Sequence, residues 1–470
     1  MVIHRWLSIP LSLLFAMWFA SGIVMHFVPF PELTEAERFA GLAVLDPPAV
    51  KRSPAEAVAE SGFHDVSRVR LWQRCDGAVY LISAASGMKA LRADDLRSAG
   101  VRSSKLALAI AAQHAGLRGL DPTRASVVEL ADYDQWTVPN GLDPLRPLYR
   151  IALNDAAGTE LYVSSHTGEV LRDTTLHERA WNYAGSVAHW IYPTILRKDW
   201  MAWNVTVWWL SLIAVIAAMT GVVLGIVRMK IVRGRPASPY RRWHAWHHWL
   251  GLFCTIFVTT WIVSGWLSMD HGRFFSTGHI GRLEADRIAG NPDWSKLTSA
   301  AIASFPSGSR EVEWFAFGNE IYERKRSTVS EQKLHRLGAL EDEFSGFLPV
   351  SQVKAALARA VRGCTGTAAV QPGDPYPIAS YAAGAPVYRT ICDEAWYHTD
   401  AASGANLERL DPQRRAYRWL YRALHTLDFP ALIRSPELRT VLVVVLCAAG
   451  FAFSFTGVVI AWRRLRLKLR

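Results

Sequence analysis

The sequence predicts an α+β membrane protein: four transmembrane helices in two duplicated halves, with two extracytoplasmic α/β domains. Three observations carry that prediction. The first is clustering: stretches 6–31, 200–227, 243–269 and 440–462 hold no charged residue, and each exceeds the roughly 20 residues needed to cross a bilayer. The second is charge. The net charge of +11 comes from Arg5, the connector 228–242 and the tail 463–470, which contain no acidic residue; the remaining 40 basic residues are matched by 41 acidic ones. That excess marks the cytoplasmic side and leaves little to support nucleic-acid binding. The third is repetition: His4 precedes Ser21-Gly22 by 17 residues, as His247 precedes Ser264-Gly265. Gly168, His189 and Thr220-Gly221 are then spaced by 21 and 31 residues, as are Gly404, His425 and Thr456-Gly457. Four landmarks in matched register indicate a duplication.

The elements follow in order. Residues 1–31 form the first transmembrane helix; its long apolar run and the absence of a small-x-small site mark a retained anchor rather than a cleaved signal. Residues 32–180 form the first external domain, with helices at 53–62 and 103–116 and strand-like runs at 66–73, 78–84, 88–93, 126–138, 147–154 and 160–172. Residues 181–228 combine an interfacial segment with the second span, and 229–242 are a basic cytoplasmic connector. The third span is 243–269, and the second external domain is 270–412. That domain has helices near 294–304 and 351–361 and strands around 311–323, 386–392 and 395–409. Residues 413–462 hold a second interfacial segment and the fourth span, followed by the basic tail 463–470. Thr167-Gly168 and Ser403-Gly404 supply hairpin turns. This topology places both termini in the cytoplasm and the external loops in an oxidising compartment, the periplasm, behind a bacterial inner membrane. Cys364 and Cys392 can pair there, the alternative being two buried thiols too far apart to meet. Cys75 has no partner in its own loop, and Cys254 and Cys447 fall within spans as packing residues.

The starts HRW-x-S and HHW-L-G, the far-end Ser-Gly, the Tyr-x-x-x-x-x-Gly hairpin and the segment 417–430 (YRWLYRALHTLDFP) together resemble the PepSY-associated transmembrane family across nearly the whole chain. The resemblance implies PepSY-like external domains. Its better-understood members are inner-membrane reductases that release iron from siderophores in the periplasm, with haem b held between the spans. The chain departs from the commonest pattern at Ser8, where glycine is usual.

The histidines point the same way on their own chemistry. His4 and the cluster His244, His247 and His248 lie at the cytoplasmic span ends; His26, His271, His189 and His425 lie at the opposite side. Ionisable groups at span edges mark functional sites, and two neutral imidazoles between helices suit the axial positions of a haem iron. His4 and His26, 22 residues apart, fall within roughly 40° on one helical face. If the halves pack about a twofold axis, equivalent residues face each other. His4 with His247 then ligates a cytoplasmic-side haem b and His189 with His425 a periplasmic-side one, with His26 and His271 as replacements in the second site. The plainer reading makes these histidines polar anchors in an aromatic belt. His64, His114, His166, His177, His279, His335 and His398 are expected at the surface.

No GxGxxG, GxxxxGK[ST], GxSxG or HExxH motif occurs, which argues against nucleotide binding, a serine hydrolase or a zincin. The spans lack the acidic residues and arginines of most ion-coupled transporters. The cytoplasmic segments are too short for a flavin domain, so electrons need a membrane quinol or a separate cytoplasmic donor. Two classes remain. One is a haem-dependent electron-transfer protein that reduces a periplasmic ferric siderophore or related ferric chelate. The other is a non-enzymatic PepSY-domain binding or regulatory protein acting on a periplasmic peptidase or peptide through a sheet edge.

Overall fold

The computed structural model describes residues 2–468 apart from 233, 304, 306, 339–345, 381 and 383. The last residues of the tail, 469 and 470, and the end of the helix expected at 294–304 thus lie outside the described residues. Two compact units result: one from residues 1–30, 177–275 and 413–470, the other from 31–176 and 276–412.

The first unit is a bundle of four long apolar helices, Val2–Phe27, Trp200–Arg228, Arg242–Ser268 and Pro436–Lys468. With no water in a bilayer to take up backbone hydrogen bonds, a continuous apolar run must satisfy them internally, as a helix does. Asp199 caps the second span, its carboxylate accepting from the Ala202 amide at 2.9 Å. The first span packs on the second and the fourth, and the third packs on the same two, which closes a ring. Phe19 of the first span reaches Phe257 and Trp261 of the third, at 6.4 and 5.9 Å between ring centroids, so the odd-numbered spans meet across the middle. Outward-facing residues such as Phe253 and Ile256 remain exposed, as lipid-facing positions are.

The interfacial segments before spans two and four share a shape. A π-helical turn, Tyr183–Val187 or Arg418–Ala423, runs into His189 or His425. Two residues after each histidine the backbone turns left-handed, at Ile191 (φ 50°) and Leu427 (φ 53°). Positive φ is rare for such side chains, and it recurs at the same offset in both segments.

The second unit is built from sheets. In the first insertion β1 (Val66–Arg74), β2 (Gly77–Ala84) and β3 (Gly87–Arg92) are followed by β4 (Ser126–Ala131), β5 (Leu148–Ala152), β6 (Glu160–Ser164) and β7 (Val170–Thr174). The connector of the first unit contributes the small hairpin β8 (Lys230–Val232) and β9 (Arg235–Ala237). The second insertion holds β10 (Glu311–Phe317), β11 (Glu320–Arg326), β12 (Gln332–Arg336), β13 (Cys364–Ala369), β14 (Val387–Cys392), β15 (Ala395–Asp400) and β16 (Asn406–Leu410). β4 to β7 form one antiparallel sheet covered by helix Ser104–Leu117; β13 to β16 form another, covered by Val350–Ala360. The remaining strands join in one six-stranded sheet of order β12-β11-β10-β1-β2-β3. The insertions were expected as a domain each, yet β1 pairs with β10, Leu71 opposite Val312, and their side chains share a core with Tyr80 and Trp314. The reason is edge chemistry: each three-stranded sheet has an open strand, and each supplies the other's missing partner.

Several expected strands are shorter or split. The run 160–172 breaks at Gly168 (φ 73°), 311–323 at Gly318 (φ 63°) and 395–409 at Gly404 (φ 68°), because each left-handed glycine reverses the chain. The run 126–138 ends at Ala131, and β12, β13 and the β8–β9 hairpin had no clear sequence signal. Cys364 and Cys392 sit opposite each other in the β13–β14 register and form a disulfide; Cys75 is free and exposed, and Cys254 and Cys447 are buried thiols. His114 and His398, expected at the surface, are buried. His114 lies on the same helical face as Ala107, Ile110 and Ala111, and His398 is in a strand closed off on both sides.

Candidate functional site

The first unit brings the repeat-matched histidines together, and each is fastened through the same ring nitrogen. His189 Nδ1 lies 3.1 Å from the Trp18 carbonyl and 3.0 Å from Ser21 Oγ. His425 Nδ1 lies 3.1 Å from both the Trp261 carbonyl and Ser264 Oγ. The two serine hydroxyls donate to those same carbonyls, so each serine oxygen is left to accept. A carbonyl also only accepts, and both Nδ1 atoms must therefore carry the proton. His4 Nδ1 is 3.0 Å from the Ala217 carbonyl, with Ser8 Oγ at 3.3 Å. Ser8, the departure from the family pattern, thus stands against the histidine itself. His247 Nδ1 is 2.9 Å from Thr456 Oγ1, whose hydroxyl donates to the Phe453 carbonyl at 2.6 Å. In all four, the Nδ1–H is held by a neighbouring helix and the Nε2 lone pair is left available. That is the tautomer a metal-ligating histidine needs, already oriented by its second partner.

The glycines of the repeated motifs make room for these rings. A Cβ at Gly22 or Gly457 would stand 3.7 Å from His189 Cε1 or 3.6 Å from His247 Cε1; at Gly265 or Gly221 it would press to 3.1 Å from His425 Cε1 or 2.8 Å from His4 Cε1. The two Ser-Gly pairs and Thr456-Gly457 therefore seat three of the histidines with one polar atom and one missing side chain each, while Gly221 makes the room for His4, whose polar partners are the Ala217 carbonyl and Ser8.

His189 and His425 approach to 6.2 Å between ring centroids, with planes at 68°. That closeness would let both rings serve as donors to one bound group. His4 and His247 line one cavity of about 310 Å³ between the spans, together with Gly221 and Gly457. In kind the donors fit a haem: His4 with His247, and His189 with His425, would each offer it two imidazoles with Nδ1 already engaged. A bare ion finds no equivalent, since no cluster of three or more His, Cys, Asp or Glu suited to a metal occurs among the described residues.

The other histidines sort differently. His26 bonds Thr440 Oγ1 through Nε2 at 2.8 Å, and His271 bonds Asn204 Oδ1 through Nδ1 at 2.8 Å. Neither forms the periplasmic-side pair that was considered as a substitute; their ring neighbours are Phe27 and Trp208. Of the cluster His244, His247 and His248, His248 uses both nitrogens, on the Gly225 carbonyl at 2.8 Å and Ser238 Oγ at 2.9 Å, so it braces the connector. His244 lines the cavity and is exposed. Sequence reasoning missed the carbonyls of Trp18, Trp261 and Ala217 and the seating role of Ser21, Ser264 and Thr456. The repeated Ser-Gly and Thr-Gly pairs were the available signal.

Four apolar helices long enough to cross a membrane, joined to a unit of helix and sheet, define a multi-pass membrane protein of mixed α and β structure. The model of the PepSY-associated TM region matches residues 1–464, and the chain belongs to that family. A comparison with curated proteins finds no match.

Proposed function

We propose that this chain is a haem-dependent electron-transfer protein of the bacterial inner membrane that reduces a ferric siderophore or related ferric chelate in the periplasm. The observation that carries the reading is the common seating of His4, His189, His247 and His425: Nδ1–H held by a fixed acceptor, Nε2 unengaged, a glycine beside each ring. A polar anchor in an aromatic belt does not need one tautomer four times over. The residues hold the imidazoles in one orientation with Nδ1 as donor, and the bundle half-buries their rings. Haem, when bound, supplies one-electron chemistry between the two histidine pairs. A membrane quinol or a cytoplasmic protein is the donor, and both termini are cytoplasmic.

A second reading, binding of a peptidase or peptide by the sheet unit, draws on β4, an edge strand with Val128 and Leu130 44% and 50% exposed. A visible spectrum of the purified chain separates the two. A Soret band with α and β bands on reduction, at two haems per chain, supports the first. A folded, colourless protein that takes up no added haem overturns it.

A further inference from the structure

Resting on the haem reading, we propose that Arg5 and Arg464 are the anchor for the two carboxylates of the tetrapyrrole held by His4 and His247. Both arginines line the same cavity of about 310 Å³ as those histidines, one from the start of the first span and one from the end of the fourth. The Nε of each is buried without a hydrogen-bond partner. Both side chains are half-buried at the edge of the cavity, and a guanidinium partly withdrawn from water is stabilised by an anion beside it.

Elsewhere the chain supplies the anion itself. Buried Arg74 pairs with Asp76 at 2.6 Å, Arg324 with Glu313 at 3.1 Å, and Arg326 with Glu311 at 3.1 Å. Around this cavity it does not: stretches 200–269 and 440–470, like the first 31 residues, contain no Asp or Glu. A ligand that carries carboxylates would supply the anion that the lining lacks. The guanidinium fork matches a carboxylate, and the lining is otherwise largely apolar, with Gly221 and Gly457 leaving room for a flat body.

The arrangement is also one-sided. The residue matching Arg5 in the second half is His248, whose two nitrogens are taken by Gly225 and Ser238. The residue matching Arg464 is Arg228, which has partners of its own. A single arginine pair therefore breaks the symmetry of the bundle, as a ligand bearing both carboxylates on one edge requires.

The test strips haem from the full-length His425→Ala chain, so that only the His4–His247 centre titrates, and follows Soret absorbance on adding haem or its dimethyl ester. The unsubstituted arginine pair should bind haem about tenfold or more tighter than the ester. Arg5→Gln with Arg464→Gln should bring haem down to the ester's affinity and leave the ester unchanged; Arg5→Lys with Arg464→Lys should restore part of the difference. If the arginine-bearing chain binds haem and ester alike, or if the glutamine variant still discriminates, the inference fails while the haem reading stands. The same holds if the glutamine variant loses only a co-purifying anionic phospholipid and keeps its preference for haem. If no form of the chain, wild type included, takes up haem, the underlying reading fails instead.

Discussion

At the scale of single residues, chemistry separates histidines that look alike in sequence. His247 and His248 are adjacent, yet one keeps Nε2 free and the other spends both nitrogens on Gly225 and Ser238. His247→Gln should therefore lower bound haem from two per chain to about one, whereas His248→Gln should retain two; haem assay on the purified variants reads this directly. Equal loss in both would remove the distinction. Spacing in the sequence was enough to select His4, His189, His247 and His425, because a duplicated histidine stands out at a constant offset. The same offset put His247 ahead of His248, but the acceptors that give the two rings different chemistry come from segments distant in sequence and were not legible there. Burial has the same long-range origin at His114, which sits in an unremarkable helix. Burial pushes its imidazole down to about 4 from an ordinary 6.5, with Arg118 and Arg38 adding to the shift. The unfolded chain then takes the proton first. Stability of the sheet unit should be full above pH 6.5 and fall between about 6.5 and 4, by roughly 3 kcal/mol. His114→Gln should flatten denaturation midpoints across that window. A decline that persists unchanged in the variant would assign it elsewhere. The carboxylates do not confuse the measurement: burial opposes, but Arg38 and Arg70 overcome it and hold Glu311 far below its ordinary 4.5, so its loss comes at lower pH.

At the scale of elements, local patterns located the helices well and the sheet pairings poorly. The spans, and helices Pro54–Ser61, Ser104–Leu117 and Val350–Ala360, announce themselves through apolar periodicity and, in the first of these three, the capping box of Ser53 and Glu56. The β1–β10 pairing joins residues some 240 positions apart, and nothing in either strand names its partner. The Cys364–Cys392 pair lies between these cases: two cysteines flanking one loop suggest a bond, and the β13–β14 register places them opposite each other. Closing a 28-residue separation should stabilise the sheet unit by about 3–4 kcal/mol on chain-entropy grounds. Replacing both cysteines by alanine should lower its denaturation midpoint accordingly. Mass spectrometry of alkylated, unreduced protein should recover Cys75, Cys254 and Cys447 as free thiols and the other two linked. Recovery of all five as free thiols would reject the bond.

At the scale of the whole molecule, topology is constrained from two independent directions. The basic excess at Arg5, in the connector and in the tail groups those segments on one side, which we propose is the cytoplasm. The six-stranded sheet makes a separate demand. β1 follows the first span and β10 follows the third, and they can pair only if both insertions lie on one side of the bilayer. An even number of crossings between them, the second and third spans, meets that demand; one or three crossings there would not. Cysteine labelling of intact cells tests both arguments together. In a chain with Cys75 replaced, Arg235→Cys in the connector should resist an impermeant maleimide until the membrane is opened. Ser307→Cys, on the second insertion, should react at once. Labelling of both sites from outside would break the charge assignment and the four-span count together. Connector-only labelling would keep the four spans but invert the protein, placing the His189–His425 pair on the cytoplasmic side and making periplasmic reduction impossible.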